Sequence, residues 1–204
     1  MDIPIEIAGF NRYISFIPSG NVVVLRGGIE PAKEYMPQLL SYTAAKAGMA
    51  VSYVTSKGAN DLKSHILRFG NGVKINAVEE SSMIAWLRLM DESSLLVIDS
   101  FSYLMLGKGP MECRAIVEEL RSRAKKSGSV VLLVLDDHLL DDMSEASVLH
   151  LADGVLSFKT FEGVEGVRRL VRVERWANGE IIDDNIHYTF IEGRMNVDLR
   201  YRIT

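Results

Sequence analysis

An apolar β-branched run, a glycine turn and a lysine at a helix start lie together in Val22-Val23-Val24-Leu25-Arg26-Gly27-Gly28-Ile29-Glu30-Pro31-Ala32-Lys33-Glu34. That order is the layout of a phosphate-binding loop, whose pattern is G-x-x-x-x-G-K-[ST]. In such a loop, backbone N–H groups at a helix N-terminus wrap the phosphates, the lysine reaches the β- and γ-phosphates, and the hydroxyl binds Mg²⁺. Gly27 and Lys33 match the pattern, with Gly28 beside the first glycine in the turn. Ala32 stands where the second glycine belongs, and its methyl is a partial obstacle to close backbone approach. Lys33 either reaches a phosphate or is a solvated helix lysine.

Glu34, in the hydroxyl position, is the sharpest departure. A carboxylate about 4 Å from a phosphate oxygen is repelled by about 4 kcal/mol at an effective dielectric near 20. At about 1.4 kcal/mol per tenfold in affinity, that removes most nucleotide binding. An ion pair within the chain is the alternative occupant of the site. Adjacent helix residues do not face each other, so Glu34 is expected to pair with something more distant than Lys33.

The elements that must position these residues follow from apolar periodicity. Strands are expected at Val22–Arg26, Ala50–Thr55, Val73–Asn76, Leu95–Ile98, Val130–Leu135 and Gly154–Phe158. Helices are expected at about Pro31–Lys46, Asn60–Arg68, Ser81–Met90, Met111–Lys126 and Ser144–Leu151. Pro37 should bend or delay the first helix. Val130–Leu135 is wholly apolar, as befits a central strand of a parallel sheet covered on both faces. The texture then changes to strands at hairpin spacing, Gly166–Trp176, Ile186–Ile191 and Met195–Tyr201, with Asn178-Gly179 as a turn signal. The expected fold class is α/β, a mostly parallel central sheet flanked by helices with C-terminal antiparallel strands, in a single domain over 1–204.

Composition limits the function. The 204 residues carry a net charge of −4, which argues against a nucleic-acid partner. No apolar run approaches the ~18 residues of a membrane span, and the single Cys113 suits a reducing cytoplasm. His65, His138, His150, His187 and Cys113 lack zinc-ligand spacing. The acidic run Asp136-Asp137-His138-Leu139-Leu140-Asp141-Asp142 is better read as helix N-caps and dipole partners than as a metal site, and metal ligands are assigned to none of these residues.

Several segments in order resemble the KaiC/RecA-like family of P-loop ATPases. Gly9-Phe10-Asn11 and Ile17-Pro18-Ser19-Gly20 look like the family's opening elements. Leu95-Leu96-Val97-Ile98-Asp99-Ser100 looks like its second nucleotide motif, and Leu151-Ala152-Asp153-Gly154-Val155-Leu156 like a late strand. The resemblance implies a RecA-like fold and gives Asp99 a place in the Mg²⁺ shell; the other reading of Asp99 is a strand-end aspartate capping a turn. Active members carry glutamates after the second strand, where this chain has Ser56-Lys57, so Lys57 is either a surface lysine or a cation facing the site. In ring-forming relatives a Lys-x-Arg pair reaches a neighbour's nucleotide. Val173-Glu174-Arg175 is similar to it, and Arg172 and Arg175 belong either to a solvated sheet face or to a subunit interface.

The changes at Ala32, Glu34 and Lys57 fall together, while the scaffold features remain. The resulting expectation is a catalytically inactive KaiC/RecA-like homologue, cytoplasmic, acting as a regulatory or scaffolding protein through protein contacts. Its partner would be itself or an active relative of the same class, and no cofactor is expected. The vestigial nucleotide-binding residues would be Gly27, Gly28, Ala32, Lys33, Glu34 and Asp99. The alternative is a divergent ATP-binding protein with slow ATPase activity, using ATP with Mg²⁺ through Lys33 and Asp99.

Overall fold

A computed structural model describes residues 1–28, 31–79, 81–92, 94–163, 166–177 and 185–198. Two short strands, β1 (Ile3–Pro4) and β2 (Phe16–Ile17), pair antiparallel ahead of β3 (Val22–Gly27). There follow α1 (Pro31–Lys46), β4 (Val51–Thr55), α2 (Ala59–Leu67), β5 (Asn76–Val78), α3 (Met83–Asp91) and β6 (Leu95–Asp99). Then come α4 (Phe101–Leu104), α5 (Pro110–Ser127), β7 (Val130–Asp136), α6 (Asp142–Leu151) and β8 (Gly154–Gly163). Strands β9 (Gly166–Arg175), β10 (Asn185–Ile191) and β11 (Arg194–Val197) complete the described elements.

Nine of the strands form one sheet in the order β11-β10-β9-β8-β3-β7-β6-β4-β5. From β8 to β5 every neighbouring pair is parallel; β8 to β11 are antiparallel. The fold is therefore α/β with a mostly parallel sheet and an antiparallel C-terminal extension. Side chains alternate between faces along each strand. Val23, Leu25, Val51, Tyr53, Leu95, Val97, Leu132 and Val134 turn to a core closed by α1 and α2. Val22, Val24, Val54, Leu96, Ile98, Val131 and Leu133 turn to a second core closed by α3, α5 and α6. β7 lies between β3 and β6, buried on both faces, as its uninterrupted apolar run requires.

Three expectations need correction, and one element, α4, was not anticipated. Pro37 lies inside α1 and does not delay it; proline there forgoes only the bond to the Lys33 carbonyl, and burial of the helix sustains the rest. The third strand is shifted, from Val73–Asn76 to β5 at Asn76–Val78, because the pairing partners on β4 are Ser52, Tyr53 and Val54. β8 runs to Gly163 rather than ending at Phe158, since β9 pairs along its whole extension. The one-turn helix α4 carries no periodicity of its own, and the Ser100 hydroxyl caps it by accepting from Tyr103 N–H at 3.2 Å. The Asn178-Gly179 turn and the end of the strand expected at Met195–Tyr201 lie outside the described residues.

Parallel strands place their C-terminal ends on one edge, and the register fixes what meets there. Gly27 is paired with Asp136 across β3 and β7, and Thr55 with Asp99 across β4 and β6. Gly27 is needed for packing as well as turning: a Cβ there would lie 2.7 Å from the Phe158 carbonyl oxygen of β8. A Cβ on Gly28 would meet nothing closer than an Asp137 carboxylate oxygen at 4.0 Å. Gly27→Ala should thus cost about 2 kcal/mol and lower the melting temperature by about 4–8 °C. Gly28→Ala should stay within about 0.5 kcal/mol of the parent. Thermal and urea denaturation of both variants measure the difference directly.

Candidate functional site

Lys33 is the third residue of α1, and helical side chains lean back toward the N-terminus, so its ammonium is carried to the ends of β3 and β7. It is buried, with 2 % exposure. It is therefore not a solvated helix lysine. A lysine ammonium has three donors, and three acceptors meet it: the Gly27 carbonyl at 2.7 Å, the Leu135 carbonyl at 3.3 Å, and Asp136 Oδ1 in a direct ion pair. The other Asp136 oxygen accepts from the Ser100 hydroxyl. Ser102 Oγ accepts from Asp136 N–H at 2.9 Å and lies 3.0 Å from Ser100 Oγ, to which it donates because the Ser100 proton is already committed. Burial pushes the Asp136 carboxyl up, but the bonds from Lys33 and Ser100 outweigh it and hold it below the ordinary range.

Glu34, one residue further along the helix, points away from Lys33 and pairs with Lys57, which follows β4. Both are about half exposed. Burial lowers the Lys57 ammonium, and the bond and charge of Glu34 more than restore it, so its net direction is up. Arg26, another conceivable partner for Glu34, instead meets Glu145 at 2.8 Å. The Glu34–Lys57 pair lies over a cleft of about 280 Å³ between α1, β4, α2 and β6, lined also by Gln38, Thr55, Asp61 and Asp99. Asp99 is 5 % exposed and accepts from the Tyr53 hydroxyl at 2.8 Å, while the turn after β6 is capped by Ser100. Desolvation raises the Asp99 carboxyl, offset in part by Tyr53 and Lys57 and reinforced by Glu34 and Asp136. The Tyr53 hydroxyl is pushed well up by burial and by the Asp99 charge.

The edge of the sheet thus gathers Gly27, Lys33, Glu34, Lys57 and Asp99, with Ala32 fully buried in the core beneath them. Arg172 and Arg175 lie elsewhere. Arg175 donates to the carbonyls of Leu149, His150 and Ala152, capping the C-terminus of α6, and Arg172 is exposed on β9 opposite Ser157. Sequence reasoning placed Asp136 in an acidic run without identifying it as the partner of Lys33, quoted Ser100 only as the end of the Asp-Ser motif, and gave Tyr53 and Ser102 no role. Tyr53 had a signal: it precedes Thr55 by two on a strand, which puts both on one face.

Chemically, the arrangement is a set of internally matched charges: Lys33 with Asp136, and Lys57 with Glu34. Lys33→Met removes a donor from two carbonyls and a carboxylate and should cost about 2 kcal/mol, or about 4–8 °C in melting temperature. The folded Asp136 pKa lies below the ordinary value of 3.8, so its contribution is full above that value and is lost as the pH falls through the lower one. The stability gap between the parent and Asp136→Asn should therefore be widest near neutrality and close in acid below about pH 4. Asp99 has the opposite sign. Its raised pKa favours the fold below the ordinary value, and that advantage is lost as the pH rises through the folded one. Asp99→Asn, which keeps an acceptor for Tyr53, should melt higher than the parent at neutral pH and equal it in acid. A pH series of melts separates the two behaviours.

Comparison with known proteins places this geometry in a fold class. Two solved structures superpose over nearly the whole chain. KaiC-like protein PH0186 from the hyperthermophilic archaeon Pyrococcus horikoshii OT3 has a TM-score of 0.79 at 19% identity, covering 97% of this chain and 99% of that one. Flagellar accessory protein FlaH from Methanocaldococcus jannaschii has a TM-score of 0.77 at 14% identity, covering 97% of this chain and 98% of that one. At these identities the likeness establishes the fold, which is the RecA-like fold of KaiC-type proteins. Among the described residues no helix is long and apolar enough to cross a membrane. No curated protein matches the sequence. A family model, described as a family of unknown function, DUF7125, matches residues 16–204, and the chain belongs to that family.

Proposed function

We propose that this chain is a catalytically inactive member of the KaiC/RecA-like fold class that works as a regulatory or scaffolding protein through contacts with other proteins. The observation that carries the proposal is the saturation of Lys33. Its three donors are used by the Gly27 and Leu135 carbonyls and by Asp136, all within the chain. Mg-ATP fits these residues poorly. A γ-phosphate would compete with Asp136 for the lysine, a carboxylate stands in the hydroxyl position at Glu34, and Lys57 follows β4 where the family's catalytic glutamate would be.

Contacts with a protein partner are supported by large apolar side chains left in solvent next to the site strand. Tyr103, Leu106 and Met111 are each at least half exposed in the segment that follows β6, as is Met143 in the first turn of α6. Large apolar side chains left in solvent are candidate contacts for a protein partner. One structural neighbour is a flagellar accessory protein, and an accessory role of that general kind is what we propose here.

Asp99 favours a second reading. Its carboxyl lines the cleft, and the resemblance gives it the place of the family's Mg²⁺-shell aspartate, which slow ATP hydrolysis by a divergent enzyme would use. Calorimetric titration with Mg-ATP decides between the two. The parent should show no binding at millimolar Mg-ATP. The double variant Glu34→Thr/Asp136→Ala removes two anions from the loop and should gain affinity at least tenfold. A micromolar dissociation constant for the parent would overturn the inactive reading.

A further inference from the structure

The cleft carries more negative charge than its own cation neutralises. Lys57 is matched by Glu34, which leaves the carboxyls of Asp61 and Asp99 on its walls without a second lysine or arginine among the described lining residues. His65 and Leu62 complete the α2 side. Asp99 is 5 % exposed; Tyr53 donates to Oδ2, and among the described residues its other oxygen accepts no hydrogen bond. A buried carboxyl with an open oxygen beside a cavity of about 280 Å³ is a built acceptor. Among the described residues no three Asp, Glu, His or Cys side chains stand close enough together to form a ready-made metal cage. The acceptors come from different elements, with Asp99 at the end of β6, Thr55 at the end of β4 and Asp61 in the first turn of α2.

A planar cation with several N–H donors satisfies spread acceptors better. Guanidinium is also more weakly hydrated than ammonium and enters a half-closed cavity at lower cost. Its stem would lie against Leu62. We infer that this cleft binds a guanidinium group between Asp99 and Asp61, carried either by a free small molecule or by an arginine side chain of a protein partner. The inference rests on the proposal that nucleotide does not occupy the adjoining loop.

Calorimetry on the full chain tests it with three probes: agmatine, an N-acetylated Gly-Arg-Gly amide, and putrescine, which has ammonium groups only. Asp99→Asn keeps the acceptor for Tyr53, and Asp61 is exposed, so neither variant is expected to unfold; melting curves check this. Saturable binding of agmatine or the arginine peptide is expected, weakened about tenfold or more by Asp99→Asn or Asp61→Asn. Asp91→Asn removes a distant carboxylate paired with Arg123 and should leave binding unchanged. Tighter binding of the peptide assigns the site to an arginine side chain, and tighter binding of agmatine to a small molecule. Equal binding of putrescine, equal weakening by all three variants, or no binding of any probe overturns the inference. Mg-ATP titrated into the same samples keeps the failures distinct. ATP binding in the parent overturns the inactive reading, whereas silence from both ATP and the guanidinium probes overturns only the guanidinium site.

Discussion

An ammonium group taken out of water must find an anion and acceptors for all of its protons, or it does not stay there. Lys33 is held to that condition, and much of the local architecture answers it. The ion pair exists because β3 and β7 are neighbours in register, with Gly27 opposite Asp136. The lysine reaches that point because Gly27 admits the backbone of β8 at close range and α1 starts immediately after the turn. Asp136 is in turn fixed by Ser100 and Ser102, so the lysine's surroundings extend to β6 and α4. The same condition does not apply to Glu34 and Lys57. That pair is half exposed, and pairs of this kind contribute at most about 1 kcal/mol.

Two buried cores, one on each face of the sheet, carry the fold in which such a site sits. Apolar side chains alternate to both faces of β3, β4, β6 and β7, and helices cover each face. The layers close on aliphatic and aromatic contacts, among them Tyr53 and Phe158 on one face and Trp86 and Phe101 on the other. Ala32 belongs to that lower layer: its methyl is buried against the core, a packing role that a phosphate loop with glycine there would lack. The loop therefore has two kinds of residue. Gly27 and Ala32 answer to packing, and Lys33 and Glu34 answer to charge.

That division also sets what the sequence could reveal. Strand and helix positions were readable wherever an apolar period was uninterrupted, as in β7, α1 and α5, because periodicity is a local property. The shift of β5 was not readable, since its bounds depend on which β4 residues it pairs with. Within the site, the anomaly of Glu34 and its need for a distant partner followed from helix geometry alone. The partner of Lys33 did not. Asp136 is 103 residues away, and only the β3–β7 adjacency, which a single sequence does not give, brings them together. The contact of Arg175 was unreadable for a related reason: its side chain serves the end of α6, a contact set by the tertiary path from helix to sheet.

The competition for Lys33 is unequal on physical grounds. A phosphate and the Asp136 carboxylate want the same donors, but the carboxylate is tethered, with an effective concentration at least in the millimolar range. Displacing it also strands the Ser100 hydroxyl that donates to its second oxygen. An incoming phosphate must meet both costs while approaching Glu34. On the other side of the cleft the barrier is low, because the Glu34–Lys57 pair is exposed and loosely held, and Asp99 waits with an acceptor in use on one side only. On the proposed reading, buried bonds already use the lysine donors that a nucleotide would need. The carboxyls of Asp61 and Asp99 line the other side of the cleft, and that asymmetry is what the proposed cationic ligand would exploit.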